Sequence, residues 1–326
     1  MEKDKEYLQN FLTKNTSKKG YKPILSSPLR YAGGKTKAVC LILENLPSLK
    51  EKKIISPFFG GGSVELCLAN MLGFEIKGYD VFDMLINFWN VLKTDKKNFI
   101  AELKNMKVNK DDFTKYRHIL LAYWETIKPI DLVYNTKNKV ELSTEEKELL
   151  QNNTLLQAVY YYYNMSLCYG PMFLGWPSSH EINQQKFQRR LDRLESFKMS
   201  NVQIECLGFE ESIPRHPQDF LYLDPPYYLG DDSKMFKGMY PNCNFAIHHN
   251  KFDHEKLYTL LKNHKGGFIL TYNNCSKIRD LYKDYQQIFP QWNYSYGQGE
   301  TRIGKNRKES ENTIKESHEI IIVCPP

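Results

Sequence analysis

No stretch of these 326 residues is apolar for long enough to cross a bilayer, and the amino terminus, MEKDKEYLQNFLTKNTSKKG, is charged where a secretory signal would carry an apolar core. Cysteine is sparse as well: seven thiols lie far apart, are odd in number and form no CxxC pair. That pattern argues against a disulfide framework and predicts free thiols in a reducing compartment, so the expected location is cytoplasmic, with no membrane partner. Internal repeats and long low-complexity linkers are also missing, which leaves an insertion as the expected form of any second module. An excess of acid is absent too: 45 Lys+Arg stand against 38 Asp+Glu, a net charge of +7 that favours polyanionic partners. What is present in quantity, 41% hydrophobic and 13% aromatic residues, suffices for one sizeable core.

The chain alternates between strand and helix patterns. KKIISPFFGGGSVELCLANMLG reads as a short strand at Ile54 and Ile55, a glycine turn at Gly60 to Gly62, and a helix burying Val64, Leu66, Leu68 and Leu72. FEIKGYD predicts a second strand ending at Asp80, and VFDMLINFWNVLK a second amphipathic helix. Strand-like sequence resumes at NVQIECLGF, FLYLDPPYY, GGFILTYNN and HEIIIVC. This succession predicts an α/β fold: a Rossmann-like sheet with helices on both faces, built from two separated parts of the chain. Between those parts, from about Lys110 to Arg193, polar helical stretches flank the aromatic tract YYYYNMSLCYGPMFLGWPSS, which is expected to contain an irregular loop.

The glycine turn is the first candidate for chemistry. FFGGGS does not fit GxGxxG, because Ser63, Val64 and Glu65 follow Gly62 where the third glycine would stand, so a pyrophosphate is the poorer ligand. Asp80, about 20 residues after Gly60, has the position of a carboxylate that accepts from ribose hydroxyls. A glycine turn followed by that acid predicts a nucleoside-bearing cofactor; the alternative is a turn that only joins two elements.

The second candidate is YLDPPYY. Proline donates no N–H and forces its predecessor into an extended conformation, so Asp224 is held at a rigid strand end, where α/β sheets open their ligand crevice. One oxygen of Asp224 and a carbonyl of Pro225 or Pro226 can then accept both hydrogens of a single NH₂ group. An aromatic amine is a poor nucleophile because its lone pair is delocalised, and accepting both hydrogens favours a localised pair. Tyr227 offers a ring on which a base can stack.

In their order, LRYAGGKTK, SPFFGGGSVEL, the Tyr79-Asp80 pair and YLDPPYY resemble DNA adenine methyltransferases of the Dam type, and the similarity spans most of the chain. It implies transfer of a methyl group from S-adenosylmethionine to N6 of an adenine flipped out of double-stranded DNA. On the family pattern Tyr31, Ala32, Gly33 and Lys35 help form the cofactor pocket. Pro57, Phe58, Gly60, Gly61, Gly62 and Ser63 pass under the methionine part, and Asp80 takes the ribose. Asp224, Pro225, Pro226 and Tyr227 hold the adenine. The implied domains are a catalytic unit of residues 23–105 and 195–326, an inserted, mainly helical target-recognition domain at 106–194, and an amino-terminal extension at 1–22.

One stretch departs from the pattern: members that methylate GATC carry Asn-Arg, then Gly and Asn, where this chain has Asn164 followed by Met165, Ser166 and Leu167, so that specificity does not carry over. For DNA contacts the sequence offers Lys186, Arg189, Arg190 and Arg193 in the insertion and Arg302, Lys305, Arg307 and Lys308 in the late loop QGETRIGKNRK. His248, His249 and His254 with Asp253 imitate metal ligands, but displacement at a sulfonium needs positioning rather than a Lewis acid, so no metal is expected. Other readings remain: an RNA or N4-cytosine methyltransferase of the same fold, or a non-catalytic DNA-binding subunit. A restriction endonuclease acting separately is a possible companion.

Overall fold

The computed structural model describes residues 2–18, 20–127, 143–170, 173–228, 252–290 and 319–326. After a helix at Glu2–Lys14 and a two-strand hairpin, β1 (Thr16–Ser17) and β2 (Gly20–Tyr21), the chain builds one seven-stranded sheet. Its strands are β3 (Lys53–Ser56), β4 (Glu75–Asp80), β5 (Val202–Cys206), β6 (Leu221–Leu223), β7 (Phe268–Asn273), β8 (Gln286–Ile288) and β9 (Glu319–Cys324). Their spatial order is β5-β4-β3-β6-β7-β9-β8. The first five run parallel, and β9 is antiparallel to both β7 and β8.

Period-two alternation divides the strand residues between two cores, as pleating requires. Ile54, Tyr222, Ile269, Ile321 and Val323 join one apolar cluster, while their neighbours Ile55, Leu221, Leu223, Leu270 and Ile322 join the other. Helices therefore have to cover both faces. Helix Ser63–Leu72, which buries Val64, Leu66, Leu68 and Leu72, and helix Asp83–Thr94 lie on the first face, and helix His254–Asn263 contributes Leu257 and Leu261 to the second.

The strands expected around Ile54, Asp80, Asp224 and the two later apolar runs are all present, and β8 is an additional edge strand. The aromatic tract differs from the expectation. Tyr160 to Leu167 belong to a helix, Thr154–Leu167, and the irregular loop starts only at Cys168. Isolated aromatic residues are middling helix formers, but here tertiary burial decides: Tyr161, Tyr162 and Tyr163 are almost wholly buried, and Tyr162 stacks on Phe88 at 5.6 Å. Through these contacts the segment 106–194 shares the first apolar cluster with the sheet, together with Phe113, Leu191 and Leu194. The amino-terminal helix docks on the same side, where Leu12 is buried and the Tyr7 hydroxyl donates to the Met71 carbonyl at 3.0 Å.

Strand order reverses between β3 and β6. From β3 the chain progresses to one side through β4 and β5, and from β6 to the other through β7. Loops leaving the carboxyl ends of those two strands diverge, and a crevice opens between them.

Candidate active site

Both segments singled out by the sequence leave the sheet at this reversal: residues 57–62 follow β3, and Asp224 follows β6. In the first, Gly60 and Gly62 adopt left-handed φ values of 48° and 64°, where a side chain would be strained. Gly61 is required for a different reason: a Cβ there would stand 2.6 Å from the Cβ of Tyr31, because the RYAGG segment lies directly across the turn. Pro57 and Ser63 are buried, whereas Tyr31, Ala32, Gly33 and Phe58 are half-buried. Phe58 packs its ring against Phe209 and Phe252 at 5.6 and 5.7 Å.

Asp80 closes the turn from the side. Its Oδ2 accepts from the Gly60 N–H at 2.9 Å and its Oδ1 from the Phe82 N–H at 3.0 Å. Trp89 Nε1 donates to the Gly60 carbonyl at 3.1 Å, so both polar groups of that residue are pinned. Burial raises the Asp80 carboxyl above its ordinary value, and the backbone donors oppose that shift. Behind Phe82 lies Tyr161, whose buried hydroxyl has no hydrogen-bond partner among the described residues; burial, with the Asp80 charge adding to it, holds its pKa far above the ordinary value.

On the other side of the crevice, Asp224 is met by Lys35. The Lys35 Nζ stands 2.6 Å from each carboxylate oxygen of Asp224, and it also donates to the Gly33 carbonyl at 3.2 Å. Lys35, grouped with the cofactor pocket by family pattern, is thus bonded to the acid of the other motif. Thr271 of β7 donates to Asp224 Oδ1 at 2.7 Å. Pro225 is buried and Pro226 half-buried. Tyr227 is only 6% exposed: its hydroxyl donates to Glu319 Oε2 at 2.6 Å, and Lys35 Nζ stands 5.0 Å from its ring centroid.

Beneath these groups lies an acid that stands within SPFFGGGSVEL but has no role in the expected site. Glu65, in the first turn of helix Ser63–Leu72, accepts from the Ser56 hydroxyl at 2.6 Å. Burial pushes its carboxyl up to about 8, with the Asp224 charge adding to the shift and Lys35 opposing it. The one signal in the sequence is an acid set among Val64, Leu66, Cys67 and Leu68. Nothing local marks Thr271 or Glu319, which reach the site only through strand pairing.

The basic residues expected to face nucleic acid separate into two groups. Arg189 is exposed, and Lys186 is half-buried with its Nζ donating to the His180 carbonyl at 2.9 Å. Arg190 and Arg193 are turned inward, contrary to the expectation of a DNA-facing row. Arg190 bonds Glu181 and the Ser166 carbonyl, the latter at 2.7 Å, and Arg193 donates to the Ser27 carbonyl at 2.8 Å. Although burial alone would raise Glu181, hydrogen bonds from Arg190 and His180 and the charge of Arg30 bring its carboxyl down to about 2. The amphipathic helix Gln184–Ser196 explains the split, since its buried residues Phe187, Leu191 and Leu194 turn Arg190 toward the protein. Arg302, Lys305, Arg307 and Lys308 lie outside the described residues, as do His248 and His249. His254 opens its helix behind the cap Asp253, whose side chain accepts from the Lys256 N–H, and its Nδ1 bonds the Tyr272 hydroxyl. No group of metal-ligand type occurs among the described residues.

Comparison with known proteins identifies a family. The family described as D12 class N6 adenine-specific DNA methyltransferase matches residues 31–296, a span that includes the glycine turn, Asp80 and Asp224. Among curated relatives, the chain is similar to a type II methyltransferase, M.MjaIII, of Methanocaldococcus jannaschii: 27% identical over 214 residues, which is 61% of this chain and 68% of that protein. It is also similar to a DNA adenine methylase of Vibrio cholerae, 38% identical over 79 residues, or 23% of this chain and 26% of that one.

Proposed function

We propose, for a chain that belongs to the family of D12 class N6 adenine-specific DNA methyltransferases, that the methyl donor is S-adenosylmethionine, bound across the Gly60–Gly62 turn beside Asp80. The enzyme transfers a methyl group to N6 of adenine in DNA. The residues around the turn fit such a donor. Asp80 is a buried carboxylate with acceptor capacity beyond its backbone N–H partners, and the Tyr161 hydroxyl, without a partner among the described residues, is a polar group that a ribose would satisfy. When bound, the donor supplies an electrophilic methyl group on a sulfonium.

The observation that carries the reading is the meeting of two segments at one strand-order reversal: the glycine turn with Asp80 on one side, Asp224 with its prolines on the other. Asp224 accepts one hydrogen of the adenine amine and a proline carbonyl accepts the other, which directs the nitrogen lone pair toward the turn. Tyr227 limits where the base can lie. Because an adenine within a duplex cannot reach a crevice of this kind, it must leave the stack, at a cost of a few kcal/mol. Residues 106–194 are read as the target-recognition part and residues 23–105 and 195–326 as the catalytic part, with the backbone of the duplex met by Lys186, Arg189 and the basic residues Arg302, Lys305, Arg307 and Lys308. Among the described residues no helix is long and apolar enough to cross a membrane. The scattered free thiols support a cytoplasmic place of action. The type II name of one relative supports a separately acting restriction endonuclease as companion.

The test is incubation with labelled S-adenosylmethionine and plasmid DNA, followed by mapping of the modified bases, with Asp224→Ala alongside. N6-methyladenine at one recurring sequence is expected, with no transfer by the variant and its donor binding retained. Label on cytosine, or on RNA alone, would overturn the reading.

A further inference from the structure

Two side chains of β7 hold the two ends of the DPPYY turn. Thr271 and Asn273 are two residues apart on one strand, so both project to the same face as Ile269, and both are buried, at 0% and 2% exposure. The Thr271 hydroxyl donates to Asp224 Oδ1 at 2.7 Å. Asn273 uses both arms of its amide on one residue: its Oδ1 accepts from the Tyr228 N–H at 2.9 Å, and its Nδ2 donates to the Tyr228 carbonyl at 3.0 Å. Asp224 and Tyr228 therefore keep a spacing set by a neighbouring strand, with Pro225, Pro226 and Tyr227 spanned between them. Proline donates no N–H, so Pro225 and Pro226 add no backbone donor to fix this turn, and two side chains of the neighbouring strand hold its ends.

Counting acceptors shows what the Thr271 contact selects. A carboxylate offers about four lone-pair directions. Lys35 Nζ takes one on each oxygen, at 2.6 Å, and Thr271 takes the second on Oδ1. Among the described residues one direction is left, and it belongs to Oδ2.

We propose that Thr271 and Asn273 are positioning residues for methyl transfer: Thr271 locks the Asp224 carboxylate so that Oδ2 alone receives the adenine amine, and Asn273 sets the carbonyl end of the same turn. This rests on the reading of Asp224 as the amine acceptor. Without the Thr271 hydroxyl the carboxylate is held by Lys35 alone, a lone pair on Oδ1 opens and competes for the amine, and amine and acceptor meet less often in the reactive alignment. Binding of the donor, on the other side of the crevice, is untouched.

The experiment compares Thr271→Val, which keeps the side-chain shape and removes the hydroxyl, with Thr271→Ser, which keeps the hydroxyl and removes the methyl group. The valine variant is expected to lose about 10- to 100-fold in kcat, the worth of one hydrogen bond to a charged group. Its KM and calorimetric affinity for S-adenosylmethionine stay at wild type, and the serine variant recovers most of the rate. Asn273→Asp keeps the acceptor for the Tyr228 N–H but sets an oxygen against its carbonyl, and the same fall in kcat without loss of donor affinity is expected. A merely structural role predicts the reverse order, with serine the poorer variant because it leaves a void. If the valine variant melts too early to assay, Thr271→Ala against Thr271→Ser makes the same comparison. Wild-type kcat in the hydroxyl-free variants, or no rescue by serine at unchanged melting temperature, overturns the proposal. Asp224→Ala run in parallel separates the two levels: if it too turns over normally, the reading of Asp224 falls, whereas its failure beside a fully active Thr271→Val removes only the positioning role.

Discussion

Lys35 Nζ sits 2.6 Å from both carboxylate oxygens of Asp224, across 189 residues of sequence. The lysine side chain is 4% exposed and the aspartate 23%. Removing one partner of such a pair leaves a charge in a poorly solvated place, which costs about 3 kcal/mol or more. Lys35→Met is therefore expected to be clearly less stable than wild type, and the double variant Lys35→Met with Asp224→Asn less unstable than the sum of the singles. Urea denaturation of all four proteins gives the coupling energy. Strict additivity would show that the pair contributes nothing beyond its two side chains.

Tyr227 has a ring and a hydroxyl with separate duties. Tyr227→Phe removes the donor to the buried Glu319 and is expected to cost about 1–3 kcal/mol of stability while preserving most of the rate. Tyr227→Ala removes the ring as well, and stacking of a base on a ring is worth roughly 1–3 kcal/mol. Its kcat should fall further than that of the phenylalanine variant at equal donor affinity. Identical kinetics for the two variants would contradict a role for the ring.

Asp80→Ala is expected to weaken S-adenosylmethionine binding by about 10- to 100-fold, because the ribose loses a charged acceptor and the Gly60 N–H loses the one that holds the turn. Isothermal calorimetry checks this directly. Affinity equal to wild type would mean that the donor lies elsewhere.

Glu65 makes stability depend on pH. Its carboxyl is pushed up to about 8 in the folded chain against an ordinary value of 4.5, so the folded state holds the proton more tightly. The resulting stabilisation is complete below pH 4.5 and is lost as pH rises through about 8. Glu65→Gln mimics the protonated form and keeps an acceptor for the Ser56 hydroxyl. Relative to wild type it is expected to gain stability with increasing pH, by on the order of a few kcal/mol in mildly alkaline buffer. Thermal melts of both proteins at pH 5.5 and 8.5 would falsify this if the difference between them did not change.

Neighbouring arginines should behave differently. Arg189→Ala is expected to lower the log–log salt slope of DNA binding by about 1 and to leave stability within about 0.5 kcal/mol. Arg190→Ala takes from Glu181, whose side chain is 10% exposed, its nearest cation and leaves it to His180 and Arg30, and should destabilise the fold by about 1–3 kcal/mol. Equal denaturation curves for the two would return Arg190 to the DNA-facing set.

Features of this protein encoded within a few residues of one another are legible in the sequence by itself. Glycine at 60 and 62 marks a turn because a left-handed backbone excludes most side chains, and Asp-Pro-Pro ends a strand because proline cannot continue the ladder. Alternating apolar residues identify the main strands in the same way, since period two is a local property of the chain. The tertiary structure decides what lies opposite what. Strand order at the reversal brings Lys35, Thr271 and Asp224 together, Glu319 reaches Tyr227 only because β9 pairs with β7, and the face that a helix buries turns Arg190 inward while leaving Arg189 outside. Those choices depend on which apolar surfaces meet when the two cores close, and burial of this kind overrides local preference, as it does in drawing four consecutive tyrosines, three of them buried, into a helix beside Phe88.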